Sequence, residues 1–134
     1  MQIAISYREI QTFILHEFNK EIGLKYLNPK TISISVSPYR FVPSVRLDIT
    51  IEEIHESSLI LSYNARRGIN LIIRGLISFM EDKVNNEFLS ILTDKRLIYI
   101  QLYKINGARK TLEYLEPKDI RFVENGVMID LKVK

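Results

Sequence analysis

The side chains best suited to chemistry lie in one short acidic run, Glu52-Glu53-Ile54-His55-Glu56. A histidine beside carboxylates could bind a metal ion or act as a general acid and base. The same composition is typical of a solvated turn at the end of a strand, and a single histidine in a charged turn favours that interpretation. Catalysis here would require a pocket in which the carboxylates have perturbed pKa values. We therefore predict no catalytic residue and no enzyme, with this run as the alternative.

The amino-acid composition and the absence of known motifs exclude several further kinds of catalytic and metal site. The chain has no cysteine and two histidines, which removes disulfides, thiolate nucleophiles and thiolate metal sites. The glycine patterns of dinucleotide and P-loop sites, the serine-hydrolase elbow and the zinc-protease helix motif do not occur. The sequence therefore predicts no cofactor and no metal.

Arginines near one apolar segment are candidates for binding an anion. Arg66 and Arg67 precede a predicted helix over residues 68–83, where free backbone amides and the helix dipole favour negative charge. The pair could hold a phosphate or carboxylate head group, or it could be a solvated pair in a loop. Arg74 lies inside the apolar segment, so its guanidinium must reach water, pair with a carboxylate or face a ligand. The sequence does not decide among these roles.

The elements that would position these residues begin with an amphipathic helix. Ser6 and Glu9 have the spacing of a capping box. Apolar residues then recur every four positions, and we expect Gly23 to end the helix. The members of this stripe are Ile10, Ile14, Phe18 and Ile22, with Phe13 beside them.

Alternating apolar and polar residues predict antiparallel strands along the middle of the chain. One hairpin turns at Asn28-Pro29-Lys30, and another turns at Thr93-Asp94-Lys95. Between them the alternation slips at Glu52-Glu53, which predicts a bulge or a turn. The predicted strands cover residues 24–27, 31–37, 45–51, 59–63, 88–92 and 96–102.

The last hairpin has the strongest turn signal. Asn125-Gly126 is the preferred two-residue type I′ loop. It predicts that Phe122 pairs with Ile129 and that Ile120 pairs with Leu131, which places all four on one face.

A short helix over residues 108–115, ended by Pro117, is expected before this hairpin. The alternative turns the chain at Asn106-Gly107 and makes the same stretch a strand.

The segment over residues 68–83 is apolar around most of a helical circumference. A helix of this kind must be enveloped by other elements, although its β-branched residues also fit a strand. We therefore predict one α+β domain over residues 1–134, with a strongly curved, mostly antiparallel sheet wrapped around this helix. Its apolar residues are Ile69, Leu71, Ile72, Ile73, Leu76, Ile77, Phe79 and Met80.

This element order resembles the tubular lipid-binding (TULIP) superfamily, and in particular its YceB-like single-domain bacterial proteins. The resemblance lies in the opening Gly68-Ile69-Asn70-Leu71, the stretch RLIYIQLYKI and the ending KDIRFVENGVMIDLKVK. In that family a long helix lies in a highly curved antiparallel sheet and leaves an apolar groove, so the resemblance implies an apolar or lipid-like ligand.

A second resemblance favours another fold. The stretch TDKRLIYI over residues 93–100 is similar to a strand pair of bacterial pleckstrin-homology-like domains. A pleckstrin-homology-like module is therefore the alternative architecture.

Charge and location complete the prediction. The net charge is +3 with both signs interspersed, which does not predict a nucleic-acid partner. The N-terminal residues lack the pattern of a signal peptide, and the longest apolar stretch is too short to span a bilayer, so we expect a cytoplasmic protein.

The leading functional hypothesis is a non-enzymatic module that binds a hydrophobic small molecule or lipid. The apolar groove would be lined by Ile72, Leu76, Phe79 and Met80, with Arg66 and Arg67 near a head group. The main alternative is a structural or interaction domain, such as a homodimer, whose core is filled.

Overall fold

The computed structural model describes residues 1–36, 45–64, 89–92, 94–104 and 108–134. Within these residues the chain forms nine strands, two α-helices and one short 3-10 turn at Leu102–Lys104. The strands are β1 (Gln2–Ser6), β2 (Ile22–Asn28), β3 (Thr31–Val36), β4 (Val45–Ile54), β5 (Ser58–Asn64), β6 (Leu89–Leu92), β7 (Leu97–Gln101), β8 (Leu115–Val123) and β9 (Gly126–Val133). The helices are α1 (Tyr7–Phe18) and α2 (Ala108–Tyr114).

The strands form two open sheets. One has six strands in the order β2-β3-β4-β5-β7-β6, and the other has three in the order β1-β9-β8. Every pairing is antiparallel. The predicted α+β class with mostly antiparallel strands is confirmed at this level. The predicted helix over residues 68–83, and the wrapping of a sheet around it, lie outside the described residues.

The first helix begins as predicted and ends earlier. The Glu9 amide donates to Ser6 Oγ at 3.1 Å, and the Ser6 amide donates to Glu9 Oε1 at 3.4 Å. The predicted end at Gly23 is wrong, because Asn19 takes a left-handed conformation with φ of 53°. Asparagine tolerates that conformation, so α1 stops after Phe18 and Gly23 becomes part of β2.

The middle of the chain follows its alternation closely. Both predicted hairpins form, as β2–β3 and β6–β7, and β4 pairs with β5 as expected. The predicted irregularity is a register shift between Ile51 and Glu53. Local patterning was therefore sufficient for these strands.

Strand β1 is the element that the pattern did not predict. It pairs with β9, and the pairing brings Gln2 opposite Asp130. Ile3 and Ile5 do alternate with Gln2 and Ala4, but the five residues are few and end in the capping box at Ser6, so the start of the helix was the stronger signal. Their position is decided by a partner at the other end of the sequence.

The predicted register of the last hairpin is wrong. Phe122 pairs with Val127 and Ile120 with Ile129, so Glu124 and Asn125 form the loop. Phe122 and Ile120 are each paired with a β9 residue two positions earlier than predicted. Because side chains alternate between the two faces of a strand with a period of two, this shift does not change which face a side chain is on. The apolar residues therefore still share one face.

In this register Gly126 lies after the turn, where it permits a close approach of β1. It lies opposite Ser6 in the β1–β9 pairing. A Cβ atom at Gly126 would overlap the main-chain carbonyl oxygen of Ile5 and would lie 2.9 Å from the Ser6 Cα. The three-stranded sheet thus depends on the missing side chain.

The short helix that was expected before this hairpin forms as α2. Helix α2 ends at Tyr114, and β8 begins directly at Leu115. The expectation that Pro117 closes the helix is wrong, because Pro117 lies inside β8, next to a register shift between Pro117 and Asp119. An irregular position tolerates the missing amide of proline.

The two sheets meet in the core. The buried cluster consists of Ile32 and Ile51 from the larger sheet and Ile120 and Phe122 from the smaller one. A main-chain hydrogen bond joins the sheets, since the Phe122 amide donates to the Pro29 carbonyl at 2.8 Å.

Candidate functional site

One side of the six-stranded sheet is apolar across all of its strands. Residues directly opposite each other in an antiparallel pair share a face, so the register assigns each side chain. We call the following set the apolar face: Ile22, Leu24, Tyr26, Ile32, Ile34, Val36, Leu47, Ile49, Ile51, Ile54, Leu59, Leu61, Tyr63, Ile91, Ile98 and Ile100. The other side in β3 and β4 carries Ser33, Ser35, Arg46, Asp48 and Thr50.

The three-stranded sheet covers the centre of the apolar face. Strand β8 lies against β2 and β4, and it places Ile120 and Phe122 on Ile32 and Ile51. Ile32 is only 4% exposed and Ile51 only 6%. Here the face is part of a filled core, in which full burial of each aliphatic side chain contributes about 1.5–3 kcal/mol.

Among the described residues, the cover does not extend to the β7–β6 edge. Half-buried Leu59 and Leu61 of β5 pack against the core cluster, but no described residue of β6 or β7 belongs to it. Ile91, Ile98 and Ile100 continue the apolar face and are only half-buried. This end of the face is where an additional apolar group would gain most from binding.

Tyr63 places a polar atom within this apolar surface. The residue is 5% exposed, and no described residue gives its hydroxyl a hydrogen-bond partner. Burial raises the pKa of Tyr63, which outweighs the lowering by nearby Arg96. A buried hydroxyl without a partner is energetically costly.

The strand ends next to this surface are described, but the predicted groove residues are not. Strand β7 pairs with β5 on one side and with β6 on the other. Opposite Leu97 are Ser62 of β5 and Leu92 of β6, and opposite Ile100 are Leu59 of β5 and Leu89 of β6. Strands β5 and β6 are therefore parallel, with β7 between them. Residues 65–88 join the end of β5 to the opposite end of β6. The predicted positions Arg66, Arg67, Ile72, Leu76, Phe79 and Met80, together with Arg74, lie outside the described residues.

The acidic run covers the last three residues of β4 and the start of the turn into β5, and its carboxylates bind separate partners. Ser62 Oγ donates to Glu52 at 2.6 Å, and His55 Nε2 lies 3.3 Å from a Glu53 oxygen. Lys134 lies 2.8 Å from Glu56, and this hydrogen bond and charge lower the pKa of the Glu56 carboxyl.

The three glutamates of that run are exposed. Among the described residues, no three histidine and carboxylate side chains are grouped so that they could hold a metal ion. The run is an exposed strand end followed by a turn, and whether it has a catalytic role stays a prediction.

Sequence patterning missed a charged network on the smaller sheet. Asp119 and Asp130 are directly opposite, and Arg121 bridges them at 3.5 and 2.7 Å. Hydrogen bonding to Arg121 holds the pKa of Asp130 below its ordinary value, with a second contribution from Gln2. Lys30 lies 3.1 Å from Asp119. The two positive charges of the network balance its two negative charges, and the Lys30–Asp119 ion pair connects the β2–β3 turn to the smaller sheet.

Helix α1 carries an open depression of about 550 Å³ on its outer side. Phe13 is 56% exposed there, so the expectation that it packs beside the buried stripe is wrong. The depression is lined by Ser6, Arg8, Glu9, Thr12, Phe13 and His16. Its mixed polarity and openness do not form an enclosed binding site.

Comparison of the chain with family models, curated proteins and solved structures finds no match. Among the described residues, no helix has the length and apolar character needed to cross a bilayer. The similarities to tubular lipid-binding and pleckstrin-homology-like proteins stay predictions, and the functional argument depends on the apolar face.

Proposed function

We propose that the protein is a non-enzymatic module that holds an apolar or lipid-like ligand between the apolar face and the segment of residues 68–83. The observation that carries the proposal is that, among the described residues, the smaller sheet covers only the centre of the apolar face. Three aliphatic residues at the β7–β6 edge continue a surface whose centre is packed, and they are only half-buried. Apolar area of this kind favours either a ligand or another apolar segment.

Connectivity supports the same arrangement. Parallel strands need a crossover connection, which is usually helical and packs on a face of the sheet. The connection from β5 to β6 contains the most apolar stretch of the sequence. In this proposal Ile72, Leu76, Phe79 and Met80 form the second wall of the groove.

A polar end of the ligand is expected near the end of β5. Arg66 and Arg67 follow Asn64 closely in sequence, and Tyr63 supplies a buried hydroxyl with no described partner. Guanidinium groups bind carboxylate and phosphate with good geometry. An amphiphile such as a fatty acid therefore fits the proposal better than a pure hydrocarbon.

The direct test is native mass spectrometry of gently purified protein, together with uptake of a fluorescent fatty acid. We expect bound lipid and saturable uptake. The matched variants are Ile98→Thr, on the apolar face, and Leu97→Thr, its half-buried neighbour on the opposite face. Threonine keeps the strand propensity in both. Ile98→Thr should weaken uptake severalfold, and Leu97→Thr should leave it unchanged.

The alternative is a structural or interaction domain in which the chain itself fills the groove. The packing of Ile32 and Ile51 shows that the centre of the apolar face already has this character. Absence of bound lipid, together with no uptake by the unaltered protein, would favour this alternative and reject the ligand proposal.

A further inference from the structure

Among the described residues, no strand pairs with the outer main-chain edge of β1 in the smaller sheet. Met1 and Leu131 exchange hydrogen bonds of 3.0 and 2.7 Å, so the alternating ladder directs the main-chain groups of Ile3 and Ile5 toward β9 as well. The N–H and C=O groups of Gln2 and Ala4 consequently point away from β9. Residues 1–4 are all exposed.

At two other sheet edges, contacts from elsewhere in the chain occupy individual main-chain groups. On β8, the Phe122 amide donates to the Pro29 carbonyl, and Lys30 Nζ donates to the Ile120 carbonyl at 3.0 Å. On β2, Gln11 of helix α1 donates to the Ile22 carbonyl at 2.9 Å. These contacts occupy main-chain groups that would otherwise accept another strand.

Strand β1 also lacks the features that protect an edge strand. Its sequence, Gln-Ile-Ala-Ile-Ser, has no proline and no charged side chain. Its pairing with β9 runs from Gln2 to Ser6 without a register shift. Charged residues, proline and bulges are the usual means of preventing edge-to-edge pairing. A regular edge without charged side chains is suited to accept a further strand.

We propose that β1 pairs with β1 of a second copy of this chain. A two-fold axis through Ile3 places Gln2 of each copy opposite Ala4 of the other, and each such pair exchanges both of its main-chain hydrogen bonds. The pairing brings the two Ile3 side chains together, which are each 38% exposed in one chain. It joins two three-stranded sheets into one continuous sheet.

A second copy fits this edge better than an unrelated strand because the edge is self-complementary. The outward-facing residues lie symmetrically about Ile3, and a closed two-fold contact uses the same patch twice. No like charges meet across the axis, since the neighbouring Asp130 is paired with Arg121 at 2.7 Å. The contact is short, so we expect a weak, concentration-dependent dimer.

Analytical ultracentrifugation of the unaltered protein tests the pairing. The average mass should rise with concentration from 15.7 kDa toward twice that value. Ala4→Pro removes an outward N–H without removing a hydrogen bond to β9, and should weaken association about tenfold or more. Ala4→Val keeps the N–H and the strand propensity, and should associate as the unaltered chain does.

A measurement on the unaltered protein separates lost pairing from lost folding. In amide exchange followed by NMR, Ile5 should be protected at every concentration, whereas Ala4 should gain protection only where the dimer forms. A sample that mixes labelled and unlabelled chains should show an intermolecular contact between Ile3 methyl groups. A protein that stays monomeric at millimolar concentration, or a dimer that Ala4→Pro leaves intact, overturns the proposal.

Discussion

Replacing Tyr63 by phenylalanine deletes a buried hydroxyl and keeps the ring that packs on the apolar face. The hydroxyl has no partner among the described residues, and the residue is 5% exposed. A buried polar group without a hydrogen bond costs about 1–3 kcal/mol. Tyr63→Phe should therefore raise the free energy of unfolding of ligand-free protein, by about 1 kcal/mol or somewhat more. Most core substitutions in natural proteins act in the opposite direction.

Urea unfolding at neutral pH measures this effect, with an unchanged denaturant slope as evidence that the same transition is compared. Tyr7→Phe is the matched control, because the Tyr7 hydroxyl donates to the Val123 carbonyl. Losing that bond should lower the free energy of unfolding by about 0.5–1.5 kcal/mol. If Tyr63→Phe also lowers it, the Tyr63 hydroxyl makes a stabilising hydrogen bond, and the reasoning is refuted.

Alkaline pH gives an independent readout of the same burial. Burial raises the pKa of both Tyr63 and Tyr7, so the folded state holds these protons more tightly than the unfolded chain does. Ionisation of these two groups therefore leaves the stability of the fold unchanged below the ordinary tyrosine pKa of about 10, and stability is lost as the pH rises above it through the raised values. Tyr63→Phe should therefore lose less stability above pH 10 than the unaltered protein loses, as measured by urea unfolding across that range.

Two further predictions concern the smaller sheet. Gly126→Ala should lower the free energy of unfolding by about 2 kcal/mol or more, since the added Cβ overlaps the rigid main-chain carbonyl of Ile5. Gly23→Ala should cost less in the same urea assay, because it meets a movable serine hydroxyl, and equal losses would contradict this account. The pKa of Asp130 is lowered mainly by its hydrogen bond to Arg121. The carboxylate therefore contributes stability that is present above the ordinary carboxyl pKa and is lost as the pH falls through the lowered value. Arg121→Gln should move the NMR-measured pKa of Asp130 back toward its ordinary value, and an unmoved pKa would show that Arg121 is not the cause.

The sequence determined the elements that depend on neighbouring residues. The capping box at Ser6 and the alternation of β3, β4 and β5 each use contacts within a few residues, and the structure shows them where the pattern placed them. The register shift near Glu52 was also predictable from neighbouring residues, because one extra residue in a strand reverses the alternation of apolar and polar side chains.

The tertiary structure decided whatever depends on a distant partner. Strand β1 exists because β9 is beside it, and Gly126 lies against Ile5 and Ser6 of that strand and not in the turn that the sequence predicted. The end of α1 was also misplaced, because either Asn19 or Gly23 could supply a helix stop.

The candidate site shows the same division. Each strand by itself displays an apolar side, but only the strand order, with β7 between β5 and β6, aligns those sides into one continuous face. In the described part of the chain the smaller sheet covers only the centre of that face, which is a relation between two sheets of unequal size. Alternation with a period of two is encoded locally, whereas the pairing of strands is a choice among many partners of similar local pattern, which only the packed chain resolves.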